Sequence, residues 1–257
     1  MKGGPAVDRF SVRAAAEPRS FQPTAAAASV QVMPSRSEGH ANVIPIGAAG
    51  RTLPLPEPRF YERAGKRVFD IAFSLTFLTL VGSWLYPLVG LAIRLDSAGP
   101  VFFRQRRVGL EGKTFVCWKF RTMEHRPDAG FVQASKGDSR ITRVGNLLRR
   151  TNLDEVPQFI NVLLGNMSVI GPRPHVAELD AMFRDLIPAY DQRTAVKPGV
   201  SGLAQVSGCR GETRRVREMN HRIRFDLFYC RNVSFWLDLK LIVLTVMRAL
   251  QGDKKAY

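Results

Sequence analysis

Histidine and cysteine are scarce in this chain, four and three among 257 residues. The histidines form no HxH or HxxH pair, so a zinc centre is not expected. Cys117, Cys209 and Cys230 are odd in number and lack metal-ligand spacing. They read as reduced thiols of a cytosol-facing protein, used for packing. Acidic residues are also few, 22 against 38 Lys and Arg, for a formal net charge of +16. The first 60 residues hold only about +3 of that surplus, so the folded part carries the rest. Such an excess favours an anionic partner: nucleic acid, acidic lipid headgroups or a phosphorylated substrate. Internal repeats are lacking. So is a basic stretch followed by a short apolar run at the start, and no secretory leader is expected.

Residues 1–58 are rich in Ala, Pro, Ser and Gly without periodicity, and the expectation is a disordered tail. Residues 59–95 are expected to form a membrane element, residues 96–250 a cytoplasmic domain and residues 251–257 a short tail. From Val68 to Ile93 the chain is apolar with one charge, Asp70. That length suffices to cross a bilayer, which needs about 20 residues. Two features speak against a plain crossing. Pro87 lies inside it, near Gly82, Ser83 and Gly90, where a helix kinks or breaks. Both flanks are basic: Arg59, Arg63, Lys66 and Arg67 before, Arg94, Arg104, Arg106 and Arg107 after. The positive-inside rule then puts both ends on one side. A helix that enters, bends near Pro87 and returns satisfies both features. A single kinked span or a buried soluble helix are the alternatives.

Beyond Gly99, "PVFFRQRRVG" and "KTFVCWKFRTM" around "GLEG" predict a β-hairpin. Arg140 to Arg150 and Asp154 to Leu164 predict helices, "VKPGVSGLAQVSG" an irregular stretch, and "GETRRVREMNHRIRFDLFYCRN" a charged helix. "SFWLDLKLIVLTVMRALQG" predicts an amphipathic helix lying on a membrane or on the core.

The stretch "LLRRTNLDEVPQF" brings two arginines, two adjacent carboxylates and a proline together. A helix start accounts for both acids: Asn152 as N-cap, Glu155 completing a capping box, and Val156, Phe159, Ile160, Leu163 and Leu164 on one face before Gly165. The surroundings suggest more. Arg149 and Arg150 precede the pair, "KFRTM" adds Lys119 and Arg121, and Pro172 and Pro174 bracket Arg173 in a stiff turn. Cations gathered round an acidic pair beside a membrane element suit a phosphorylated substrate with a divalent metal.

The run "KRVFDI", the apolar segment, "GPVFFRQRRVG", "KFRTM", "NLDEVPQFINVLLGNMSVIGPRP", "VKPGVSGLAQVSG", "RGET" and "DLFYCRN" resembles, in collinear order over about residues 64–247, the bacterial sugar transferases. These are monotopic phosphoglycosyl transferases, polyprenyl-phosphate glycosyl-1-phosphate transferases that begin exopolysaccharide assembly. The resemblance implies an α+β, mainly helical fold: a small monotopic membrane protein with a re-entrant N-terminal helix, a short β-hairpin and amphipathic interfacial helices. It implies transfer of a sugar 1-phosphate from a UDP-sugar to undecaprenyl phosphate, with release of UMP, at the cytoplasmic face of the bacterial inner membrane. Asp154 matches the family's nucleophile, which forms a covalent phosphosugar intermediate. Glu155 matches a Mg²⁺-holding residue. Lys119, Arg149 and Asp226 match supporting positions, and Pro172, Arg173 and Pro174 match the motif linked to the uridine nucleotide. An aspartate at a helix N-terminus would be held as the anion.

Two departures stand out. The membrane break is Tyr86-Pro87 where relatives carry Ser-Pro, and Asn166 replaces an aspartate that many relatives have. The motifs lean to glucose 1-phosphate, with galactose 1-phosphate as the alternative, and the chain resembles the short single-anchor forms. A nucleic-acid partner is not expected, and nothing in the pattern sets an oligomeric state. The rival reading is an inactive membrane scaffold that binds polyprenyl phosphate or exopolysaccharide machinery. The charge pattern makes one topological prediction: tags near residue 60 and at the C-terminus both label from the cytoplasmic side. Labelling of the first tag from the periplasm would establish a full span.

Overall fold

The computed structural model describes residues 55–57, 60–125, 137–209, 211, 213 and 215–251. The expected tail before residue 55, Arg210 and Glu212 of "RGET", and the last six residues lie outside these. The described part is mainly helical with two small sheets.

The apolar segment is helical from Tyr61 to Asp96. It consists of α1 (Lys66–Phe77) and α2 (Ser83–Asp96), joined by a π-helical turn, Leu78–Gly82. Pro87 stands inside α2 and has no N–H for the carbonyl one turn back. The helix loosens just ahead of it, and two side chains bond carbonyls of the wider turn. Ser83 Oγ donates to Thr79 O at 2.8 Å, and Trp84 Nε1 to Leu80 O at 2.9 Å. Only 22% of the helix's most apolar stretch is buried, and Leu75, Leu80, Trp84, Leu88, Leu91 and Leu95 face outward.

The inner side of the helix is docked by polar groups. Asp70, the one charge in the apolar run, accepts Ser168 Oγ at 2.9 Å and Val169 N at 3.0 Å. Arg67 donates to the carbonyls of Val162 and Leu163 at 2.6 and 2.8 Å. Tyr61 and Lys66 donate to Asp238 at 2.7 and 2.6 Å, and Tyr229 Oη donates to its other oxygen at 2.7 Å.

The hairpin is as expected: β1 (Phe102–Val108) pairs antiparallel with β2 (Thr114–Phe120), with Phe103 opposite Lys119. Arg121, just past β2, does not join the cations at the acidic pair. Its guanidinium caps the end of α2, donating to Ser97 O at 2.7 Å and Ala98 O at 2.8 Å. Gly99 (φ 119°) is required there, because a Cβ would fall 2.1 Å from that guanidinium.

Next come α3 (Arg143–Thr151), α4 (Gln158–Leu163), β3 (Ser168–Ile170) and α5 (Ala177–Phe183). "VKPGVSGLAQVSG", expected to be irregular, instead supplies β4 (Gly199–Ser201) and α6 (Leu203–Val206). β4 pairs parallel with β3, Ser168 opposite Gly199 and Ile170 opposite Ser201. So short a strand, rich in glycine, carries no readable alternation, and only its distant partner defines it. The charged stretch forms α7 (Val216–Arg231), and the last apolar run forms α8 (Phe235–Gln251), which exposes Trp236, Val243, Val246 and Leu250.

The main core gathers Leu85, Val89 and Ile93 of α2 with Phe120, Phe159, Val162, Ile170, Tyr229 and Leu241. A second cluster joins Phe183, Ile187 and Tyr190 to Met219 and Ile223. Between these apolar groups lies a band of buried charge.

Candidate active site

Asp154 and Glu155 occupy a 3-10 turn, Leu153–Glu155, between α3 and α4. The expected capping box does not form. Asn152 closes α3 in the left-handed region (φ 59°), a conformation asparagine tolerates. Glu155 N then donates to Asn152 O and Val156 N to Leu153 O, the spacing of a tight turn. Pro157 takes the cap of α4, where its missing N–H has no intrahelical partner to lose. The acids therefore precede a helix of six residues and do not sit on its first turn. The argument from the helix dipole fails for them.

The two carboxylates differ in their surroundings. Glu155 is buried and saturated with cations: Lys119 Nζ lies 2.8 Å from Oε1, and Arg173 bonds both oxygens, at 2.5 Å to Oε1 and 3.0 Å to Oε2. Burial opposes its charge, but Arg173 and then Lys119 outweigh it and hold the carboxyl well below its usual value. Asp154 is half-buried and, among the described residues, has no hydrogen-bond or ion-pair partner. Burial pushes its carboxyl up to about 6, with the Glu155 charge adding to the rise and Lys119, Arg149 and Arg173 opposing it. Burial, joined by the ionised acid beside it, thus makes this carboxylate more basic than an ordinary aspartate.

Lys119 reaches Glu155 because of Asn161, whose amide is clipped to the edge of β2. Asn161 Oδ1 accepts Trp118 N at 2.9 Å, and Nδ2 donates to Val116 O at 2.7 Å. Arg173 is held through its backbone. Four consecutive carbonyls take donors from three segments: Pro172 from Gly199 N, Arg173 from the Arg193 guanidinium, and, both on β1, Pro174 from Arg107 Nη1 at 2.8 Å and His175 from Val108 N at 2.8 Å. The proline-bracketed turn is therefore stiff, as expected. Its guanidinium pairs with both oxygens of Glu155 and stays partly exposed.

Arg149 lies in the last turn of α3, half-buried, and acts on Asp154 through its charge. Asp226 is not at the acidic pair. It is buried on α7 and accepts Arg193 Nε at 3.2 Å, so it reaches the site only through Arg193 and the Arg173 carbonyl. Tyr86 Oη donates to Val156 O at 3.1 Å, while Pro87 faces outward. Asn166 is exposed, past the far end of α4 from Asp154.

Sequence reasoning missed Asn161, Arg107 and Arg193. For Asn161 a signal existed: Gln158 and Asn161 interrupt an otherwise apolar helix face at i, i+3, and both are buried. The two arginines sit among many others, and only the fold singles them out.

Residues 61–252 match the family model described as "Bacterial sugar transferase". The chain is 50% identical over 186 residues to a UDP-glucose:undecaprenyl-phosphate glucose-1-phosphate transferase of Xanthomonas campestris pv. campestris, covering 71% of this chain and 38% of that one. It is 47% identical over 197 residues to the protein of the same name from Escherichia coli (strain K12), covering 76% and 42%. It is 46% identical over 196 residues to an exopolysaccharide production protein PSS of Rhizobium leguminosarum bv. phaseoli, covering 74% and 96%. The chain thus spans about two fifths of the length of the first two relatives.

The placement of Asp226 generates a prediction. Asp226→Ala removes the nearer carboxylate of buried Arg193, leaving Asp180 at 3.9 Å, and is expected to cost about 3 kcal/mol of stability, the low end for a broken buried pair. Thermal unfolding checks this, and unchanged unfolding would mean that the pair carries no structural weight.

Proposed function

The chain belongs to the bacterial sugar transferase family, and from that premise we propose that it transfers a sugar 1-phosphate from a UDP-sugar to undecaprenyl phosphate, releasing UMP. The observation that carries this reading is the contrast between adjacent acids, Glu155 neutralised by two cations and Asp154 without a partner. A carboxylate titrating near 6 is ionised at neutral pH, yet more basic than an ordinary aspartate, which suits a nucleophile.

In the first step an Asp154 carboxylate oxygen bonds to the sugar-linked phosphorus. The bond from that phosphorus to the oxygen shared with UMP breaks, and UMP leaves with the electron pair. In the second step an oxygen of undecaprenyl phosphate bonds to the same phosphorus and Asp154 returns as a carboxylate. Both attacking oxygens are already deprotonated, so no base is required, in keeping with the lack of a histidine partner. Lys119, Arg149 and Arg173 supply positive charge for the donor's phosphates. The Pro172–Arg173–Pro174 turn faces the nucleotide, and Asp226 steadies that turn through Arg193.

Magnesium takes hard oxygen donors, commonly one or two carboxylates with water and substrate phosphates. Asp154 and Glu155 fit that set in kind. Glu155 Oε2 accepts a single hydrogen bond and keeps a lone pair. No group of three ligating side chains occurs among the described residues, so Glu155 would hold the ion together with the donor's phosphates. When bound, its charge offsets that of the diphosphate and of departing UMP.

Glucose 1-phosphate is the proposed cargo, supported by the names of the relatives, and exopolysaccharide assembly the proposed setting. The helix Tyr61–Asp96 would enter the inner membrane and return to the cytoplasmic face. Support comes from its apolar outer side, its two basic flanks and its loosened turn ahead of Pro87.

The test is UMP release by detergent-solubilised protein with Mg²⁺ and undecaprenyl phosphate across a panel of UDP-sugars. Release is expected with UDP-glucose. Asp154→Asn is expected to abolish both release and the phosphosugar adduct on the protein, and normal turnover by that folded variant would overturn the assignment. The pH dependence follows from the Asp154 carboxyl. Protonation removes the nucleophile, so the rate of the first step should fall about tenfold per pH unit below 6 and level off above it.

A further inference from the structure

The proline-bearing helix α2 and the turn that carries the acidic pair meet at one tyrosine. Tyr86 stands immediately before Pro87, on the side of α2 that faces inward. Its hydroxyl donates to Val156 O at 3.1 Å, and Val156 directly follows Glu155. Its ring packs edge-on to Phe120, with centroids 5.4 Å apart and planes at 84°, and Phe120 directly follows Lys119. A second edge contact, at 6.3 Å, reaches Phe102 on the paired strand. One side chain thus touches the residue after each member of the Lys119–Glu155 ion pair.

The Val156 carbonyl has a second donor, Phe159 N at 3.1 Å, in the first turn of α4. Removing the tyrosine hydroxyl therefore leaves no orphaned buried carbonyl, and the cost to the fold should be small. The hydroxyl is not there to satisfy α4. Its effect is to fix where the turn sits relative to the helix.

We infer that Tyr86 is a positioning residue for the transfer reaction, setting the spacing of Glu155 and Lys119 about Asp154 through the Val156 carbonyl and the Phe120 ring. This rests on the reading of the reaction given above.

The experiment compares the full chain and Tyr86→Phe for UDP-glucose-dependent UMP release, with thermal unfolding on each. Phenylalanine keeps the ring contacts and removes only the hydroxyl. The expected result is a kcat reduced roughly five- to tenfold, the size of one neutral hydrogen bond, at unchanged KM for the donor and unchanged unfolding temperature. Tyr86→Leu, which removes the ring as well, should lose more. Wild-type kcat in Tyr86→Phe would overturn the inference. So would a loss of kcat that merely follows a lower unfolding temperature, which would make Tyr86 an anchor alone. If the unsubstituted chain releases UMP from none of the UDP-sugars, the parent reading fails, and this inference with it.

Discussion

Glu155 is a buried anion with two cations on it, and much of the surrounding structure exists to keep that arrangement in place. An unpaired charge at that depth would cost several kcal/mol, so Lys119 and Arg173 must both arrive. Each comes from a segment distant in sequence, and each is fixed by something other than the ion pair. Lys119 is placed by the clip of Asn161 on β2, and Arg173 by donors to four successive carbonyls. The consequence falls on the neighbouring residue. With Glu155 ionised and its partners occupied, Asp154 is left half-buried beside a like charge, near the cations but not bonded to them. Two adjacent carboxylates in one turn thereby acquire opposite surroundings, one paired with two cations and one without a partner.

The long helix shows the same economy of buried charge. Its outer side is apolar, but its inner side is docked by Asp70, Arg67, Lys66 and Tyr61 onto β3, α4 and α8. Directional bonds of this sort fix the helix's rotation in a way that apolar contact does not. On the proposed reading, an element embedded in lipid is thus held in register with a site that works on a soluble nucleotide. The arginines and acids between the two apolar clusters extend that scheme. Arg193 joins Asp226 to the Arg173 carbonyl, so a residue on α7 contributes to the site without touching it.

What could be read along the chain were features set by local pattern. The apolar run, its basic flanks, the hairpin, the helices ending near Arg231 and Gln251, and the acidic pair with Lys119 and Arg173 follow from periodicity, charge and short motifs. The errors were local in a different way. Asn152, Asp154 and Glu155 spell a capping box, yet the chain must turn sharply between α3 and α4, and the left-handed Asn152 takes that turn. Arg121 looked like one more phosphate-binding cation, but the end of α2 claims it.

By itself, then, the sequence determined the hairpin, the longer helices, the family and most of the residues gathered near the site. Tertiary structure alone decided which carboxylate is neutralised, that Asp226 works at one remove, that β4 is a strand at all, and that Tyr86 touches the turn of the acidic pair. The physical reason is that each of these depends on long-range neighbours. Desolvation, ion pairing and strand pairing are properties of what surrounds a residue in space, and a local pattern of residue types carries no record of that.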